Sequence, residues 1–250
     1  MKAMDRLIFA LDVPNPEEAI KLCRLLKGHV GMFKVGLELF SSIGRDGLVK
    51  LSDEIGSSFS SIMLDLKLHD IPMTVKRTIR QYHSTHYGVS AMTVHTAGGL
   101  SMMRAAVEEA GHATVPIKIW AVTALTSMSP HDLQLVDNFS TMEKCVAARA
   151  KAAYTSGAHG IIASGKDLDA IVRSDPFTYS YKNSKRPCFI TPGIRPAGSD
   201  AGDQQRVATP ASAMQNGSDY LVVGRPIRDA PDPVEAADRI VDEITEALWP

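Results

Sequence analysis

Eight short apolar runs recur along this chain, each followed by an amphipathic stretch, and few folds accept that alternation. The runs cover residues 7–11, 32–35, 62–66, 91–94, 117–122, 160–163, 188–191 and 220–223. They are short, rich in Val, Ile and Leu, and not polar at every second position, the mark of parallel strands covered on both faces. Helical patterns span 16–26, 44–55, 73–87, 100–110, 141–156, 166–172, 210–216 and 233–248. Asn15, Ser140 and Thr209 stand where N-caps belong, and Gly28, Gly56, Gly88, Gly111 and Gly157 where helices stop. Eight strands alternating with eight helices in 250 residues predict one α/β domain over 1–250, a (β/α)8 TIM barrel. A doubly wound open sheet would require a Gly-rich dinucleotide fingerprint after the first strand. Asp12-Val13-Pro14-Asn15-Pro16 stands there instead.

Composition removes several functions from consideration. A net charge of -1 gives no electrostatic footprint for nucleic acid or an anionic membrane. No apolar run approaches the length of a membrane span, and the first apolar run is too short for a signal segment. Cys23, Cys145 and Cys188 are odd in number, with no C-x-x-C pair, and read as free thiols in a reducing, cytoplasmic compartment. His83 and His86 fall on one helical face without a neighbouring Glu or Cys, so an exposed face is expected there rather than a metal site.

Charge enters one apolar strand conspicuously. In Ser61-Ile62-Met63-Leu64-Asp65-Leu66-Lys67-Leu68-His69-Asp70-Ile71-Pro72, alternation turns Asp65 and Lys67 to one face and Ile62, Leu64, Leu66 and Leu68 to the other. An acid and an ammonium on such a strand are costly to desolvate unless each answers the other. A structural ion pair and a catalytic one both fit; Asp70, just before a helix-opening Pro, favours chemistry. In a barrel, chemistry lies at the C-terminal strand ends. Those ends carry Asp12, Lys34, Asp65 with Lys67, His95-Thr96, Thr123 with Leu125-Thr126-Ser127, Pro192-Gly193-Ile194-Arg195 and Gly224-Arg225-Pro226. A packed barrel top has no need of such a ring of charge and hydroxyl groups.

The ends of strands seven and eight suit an anion. Gly193 and Gly224 let backbone N–H groups approach, and Arg225 adds a bidentate fork, although a surface salt bridge is its plain alternative. Residues 196–206, polar and without an apolar anchor, read as a lid whose Gln204 contacts a bound phosphate. The long segment 127–139 is expected to reach over the ligand, and 179–186 to be solvent loop on the opposite face.

These residues resemble the orotidine 5'-phosphate decarboxylase family. The resemblance rests on Asp65-Leu66-Lys67-Leu68-His69-Asp70-Ile71-Pro72, Phe33-Lys34-Val35-Gly36, Leu125-Thr126-Ser127, Pro192-Gly193-Ile194-Arg195 with Gln204, and Val223-Gly224-Arg225-Pro226-Ile227, in the family's order. Met73 departs from the usual Asn, whereas Thr74 is retained. The resemblance implies decarboxylation of orotidine 5'-phosphate to UMP without metal or organic cofactor. It implies Lys67 as cation and proton donor, with Lys34, Asp65 and Asp70 completing a Lys-Asp-Lys-Asp array. In that array, like-charge contact of Asp65 with the substrate carboxylate would raise the ground state. It further implies Asp12 and Lys34 on the ribose and Ser127 on the pyrimidine. Gln204, Gly224 and Arg225 fall on the phosphate, with Thr126 and Arg195 in the same ligand shell. Asp70 and Thr74 would serve the neighbouring subunit's site in a homodimer. The rivals are a Mg2+-dependent sugar-phosphate decarboxylase or synthase of the same barrel group, a Schiff-base aldolase using Lys67, and a catalytically silent nucleotide-binding barrel.

Overall fold

The computed structural model describes residues 1–56, 61–137, 139–174, 187–196 and 208–249. Its strands are β1 (Leu7–Ala10), β2 (Met32–Gly36), β3 (Ile62–Leu68), β4 (Val89–His95), β5 (Lys118–Val122), β6 (Gly160–Ile162), β7 (Cys188–Thr191) and β8 (Tyr220–Val223). They pair in parallel and in sequence order, and β8 returns to β1 through Leu7–Leu221, Ile8–Val222 and Phe9–Val223, closing the barrel. The helices are α1 (Pro16–Leu26), α2 (Leu37–Ile55), α3 (Pro72–Arg80), α4 (Gly99–Ala110), α5 (Pro130–Asp137), α6 (Met142–Ser156), α7 (Leu168–Arg173), α8 (Pro210–Gln215), α9 (Arg225–Arg228) and α10 (Pro233–Leu248). The predicted TIM barrel is the fold.

Alternation along each strand splits the core in two. Ile8, Met32, Met63, Trp120, Ile190 and Val222 point inward and plug the barrel. Leu7, Phe9, Phe33, Leu64, Met92 and Leu221 point outward and meet the helices. The Phe9 and Phe33 rings meet edge to face at 6.3 Å, a contact stabilising by about 1 kcal/mol beyond burial. Because the plug is solid, a ligand can only sit above it, at the strand ends.

Caps set several helix starts. Asn15 accepts from the Glu18 amide at 2.9 Å ahead of Pro16, and Thr209 forms a capping box with Ser212. Ahead of α6 the cap is Thr141, not the expected Ser140, because Thr141 has the extended backbone that lets its hydroxyl accept from the Lys144 amide.

Two helical expectations are corrected, and one helix was not anticipated. The helix expected from Gly44 begins at Leu37, and Gly44 is a break within it, with φ 57°. The helix expected to run to Tyr87 ends at Arg80. A separate 3-10 turn, Thr85–Tyr87, follows, capped by Ser84. The segment 127–139, expected to reach over the ligand, contains α5, whose start is a Ser129–Asp132 box around Pro130: Asp132 accepts from the Ser129 amide at 3.0 Å, and Ser129 Oγ accepts from the Asp132 amide at 3.2 Å. The expected solvent loop 179–186 and lid residues 197–206 lie outside the described residues.

Candidate active site

A cavity of about 550 Å³ opens above the plug, floored by Ala10, Met63, Val122, Ile162 and Val222. One wall comes from β1, β2 and β3. Lys34, on β2, donates to Asp12 Oδ1 at 2.7 Å and lies 3.8 Å from Asp65 Oδ2. Gly36 makes room for this pair: a Cβ there would stand 3.1 Å from Lys34 Nζ and 3.4 Å from Asp12 Oδ1. Lys67 Nζ donates to Asp65 Oδ2 at 2.8 Å. The four side chains thus form one alternating row, Asp12, Lys34, Asp65, Lys67.

Asp65 is buried, and desolvation pushes its carboxyl up. The charges of Lys67 and Lys34, with hydrogen bonds from Lys67 and Thr93, outweigh burial and hold it below its ordinary range. The acid is therefore ionised at neutral pH.

Simple strand alternation does not place Lys67. The β3–β4 register runs from Leu64–Met92 directly to Leu68–Val94, so Asp65, Leu66 and Lys67 face Thr93 alone. Within this bulge Lys67 has φ 48°, the one positive φ outside glycine among the described residues. The expected juxtaposition of Asp65 and Lys67 holds, by a bulge rather than by the pleat.

The wall contributed by β7 and β8 is cationic. Pro192, Gly193 and Arg195 follow β7, and Gly224 with Arg225 follows β8, all lining the cavity. Arg228, which the sequence reading missed, joins them one helical turn beyond Arg225. It donates to the Asp12 carbonyl at 2.6 Å and pairs with Asp229 at 2.6 Å. Its spacing from Arg225 on a Pro-opened turn was the available signal. Leu125, Thr126 and Ser127 supply the edge after β5. Their loop is anchored from below: Thr96 Oγ1 donates to the Val122 carbonyl at 2.8 Å, and buried Arg149 of α6 donates to the Thr123 carbonyl at 2.7 Å.

Not every predicted site residue reaches this cavity. Asp70 is exposed and outside this chain's row, and its Oδ1 accepts from the Ile71 amide at 2.7 Å. Thr74 is exposed on the first turn of α3. His95 stacks on His69 with ring centres 5.8 Å apart and does not line the cavity. Gln204 lies outside the described residues.

A cavity with an apolar floor, a hydroxyl edge, an arginine wall and a facing ammonium suits a small anionic ligand that carries a flat, partly polar group. The row beside Lys67 sets fixed charges along one wall of the cavity.

Comparisons with known proteins converge. The profile described as "Orotidine 5'-phosphate decarboxylase / HUMPS family" matches residues 5–240. The chain is 41% identical over 240 residues to the orotidine 5'-phosphate decarboxylase of Anaeromyxobacter dehalogenans, covering 96% of this chain and 98% of that one. With the enzyme of Desulfosudis oleivorans the identity is 43% over 253 residues, covering 98% and 94%. The crystal structure of the enzyme from Lactobacillus acidophilus superposes with a TM-score of 0.76 at 36% identity, covering 95% of this chain and 98% of that chain. The chain belongs to the orotidine 5'-phosphate decarboxylase family.

Proposed function

We propose that Lys67, paired with Asp65 at 2.8 Å, performs the chemistry of this site. As a family member the chain removes CO2 from orotidine 5'-phosphate to give UMP, a carboxy-lyase step of pyrimidine biosynthesis. In that reaction the C6–carboxylate bond breaks, the electron pair stays on C6, and CO2 departs. The Lys67 ammonium stabilises that pair and then delivers its proton to C6. The 2.8 Å contact between Lys67 and Asp65, on the cavity wall beside an apolar floor, carries this reading. A preorganised charge of this kind acts most strongly in the transition state.

The remaining roles follow the cavity walls. Asp12 and Lys34 take the ribose hydroxyls, Ser127 and Thr126 the pyrimidine edge, and Arg225, Arg195 and the Gly224 backbone the phosphate, with Gln204 closing on it. Phosphate binding is remote from C6, so its energy can drive closure rather than only retention. The reaction so read needs no metal or organic cofactor, and undiminished turnover in excess chelator is the expected result. The free thiols Cys23, Cys145 and Cys188 agree with a reducing cytoplasm.

Asp70 and Thr74 serve a second subunit across a two-fold interface. Their own cavity does not hold them, and Ile71 at 66% and Met73 at 53% exposure put apolar surface beside them. The test mixes Lys67→Ala and Asp70→Ala chains, each nearly inactive alone, by unfolding and refolding them together. Random assortment makes one site intact in each hybrid, so about a quarter of all sites regain activity if the dimer is isologous. No recovery, with hybrids verified by different tags, would place Asp70 in its own subunit's chemistry.

A further inference from the structure

Thr93 is fully buried in β4, directly opposite the three bulged residues of β3, and its hydroxyl has two partners there. The bulge takes the Lys67 amide out of the regular strand ladder, and that amide donates to Thr93 Oγ1 at 2.8 Å instead. The same oxygen lies 2.9 Å from Asp65 Oδ1. An ionised carboxylate offers only acceptors, so the single hydroxyl proton must point from Thr93 to Asp65. Asp65 is thereby held by one oxygen, which leaves Oδ2 to Lys67 at 2.8 Å and to Lys34 at 3.8 Å.

From this geometry we infer that Thr93 is a positioning residue for decarboxylation. Its hydroxyl pins the left-handed Lys67 backbone and sets the rotation of the Asp65 carboxylate, so that the Lys67 ammonium is aimed before substrate arrives. The inference rests on the reading of Lys67 and Asp65 as the reacting pair. Thr93 does not line the cavity and touches the ligand through neither group. Its effect therefore falls on the chemical step and not on binding.

Thr93→Val keeps the shape, removes the hydroxyl and strands the Lys67 amide. Loss of a hydrogen bond to a charged group at this point lowers kcat by roughly ten- to a hundredfold, with KM and UMP affinity within about threefold of wild type. Thr93→Ser restores the hydroxyl and most of kcat. The acid limb of the kcat profile moves upward in Thr93→Val, because Asp65 has lost a donor to its charged form, and returns in Thr93→Ser. In a Lys67→Ala background Thr93→Val costs far less, since the group it aims is gone. If Thr93→Val folds poorly, Thr93→Ala against Thr93→Ser makes the same comparison.

Wild-type kcat in folded Thr93→Val, or equal damage in the Val and Ser variants, would overturn the inference, the second outcome assigning Thr93 to packing alone. Failure of the underlying site reading looks different: Lys67→Ala itself would then retain activity.

Discussion

Two buried carboxylates in this molecule sit among cations, and they are partnered in opposite ways. Glu109 of α4 is buried, and Arg80 of α3 closes over it with two hydrogen bonds, 2.8 Å to Oε1 and 3.0 Å to Oε2. Lys76 at 3.9 Å adds charge from the same helix, and the His83 ring stands 3.5 Å from Oε1. Both Glu109 oxygens are spent within the fold, tying α3 to α4. Asp65 is buried too, but its strongest partner, Lys67, is held in a left-handed bulge with 33% of its side chain exposed, on the wall of the cavity. Both carboxyls lie below their ordinary range. In Glu109 the Arg80 hydrogen bond is the main cause, whereas in Asp65 opposing charges overcome a larger burial penalty. A bidentate arginine neutralises an acid, whereas two lysine ammoniums flanking a shared oxygen leave positive charge turned toward a ligand.

The sharpest test of the contrast removes each cluster's central charge. Lys67→Ala should lower kcat by several orders of magnitude while UMP binding survives within about tenfold, because the lost charge acts chiefly in the transition state. A variant with a tenth of wild-type kcat, with chemistry rate-limiting in both, would make the Asp65–Lys67 pair a fastener like Glu109.

A smaller effect sharpens the division inside the site. Arg225→Ala should raise KM and lower kcat/KM by about ten- to a hundredfold, the worth of a charge-assisted phosphate contact. It should leave turnover of a substrate lacking phosphate nearly unchanged, and free phosphite should stimulate that substrate more in wild type than in the variant. Equal stimulation in both removes Arg225 from the phosphate wall.

The smallest catalytic effect belongs to the other cluster. Glu109→Gln should keep kcat within about twofold and lower stability by roughly 2 kcal/mol. The cost falls short of a sealed buried pair because Arg80 is 58% exposed. Glu109 has its pKa depressed by folding, so its contribution is full above the unfolded carboxyl value and is lost as pH falls through the lower folded one. The difference in melting temperature between wild type and Glu109→Gln should therefore be constant at neutral pH and shrink below about pH 4. A difference independent of pH would remove charge from the role of Glu109.

Much of the site was legible because its residues follow strands, and strand ends can be found from period and composition. Asp12, Lys34, Asp65, Lys67, Ser127, Arg195 and Arg225 all reach the cavity from positions read that way. The start of α5 was legible too, in Ser129-Pro130-His131-Asp132, but an apolar-run reading passes over a cap that precedes a weakly amphipathic helix. Thr93 carried no signal: a hydroxyl inside an apolar strand looks the same whether it fills space or aims a carboxylate. Arg149 was equally silent, since only the fold shows a buried guanidinium under the loop after β5.

By itself, then, the amino-acid sequence determined the alternation of elements, the two-layered core and the inventory of charges at the strand ends. Those properties are local, written in spacing and residue type. Tertiary structure decided which ends meet and with what geometry. Closure of β8 onto β1 brings Arg228 to within 2.6 Å of the Asp12 carbonyl across 216 positions of chain. The two-for-four pairing of β4 with β3 creates the left-handed turn at Lys67. Asp70, beyond the end of β3, is exposed and takes its own neighbour's amide. Register between strands distant in sequence is a property of the closed sheet, and no single strand carries it.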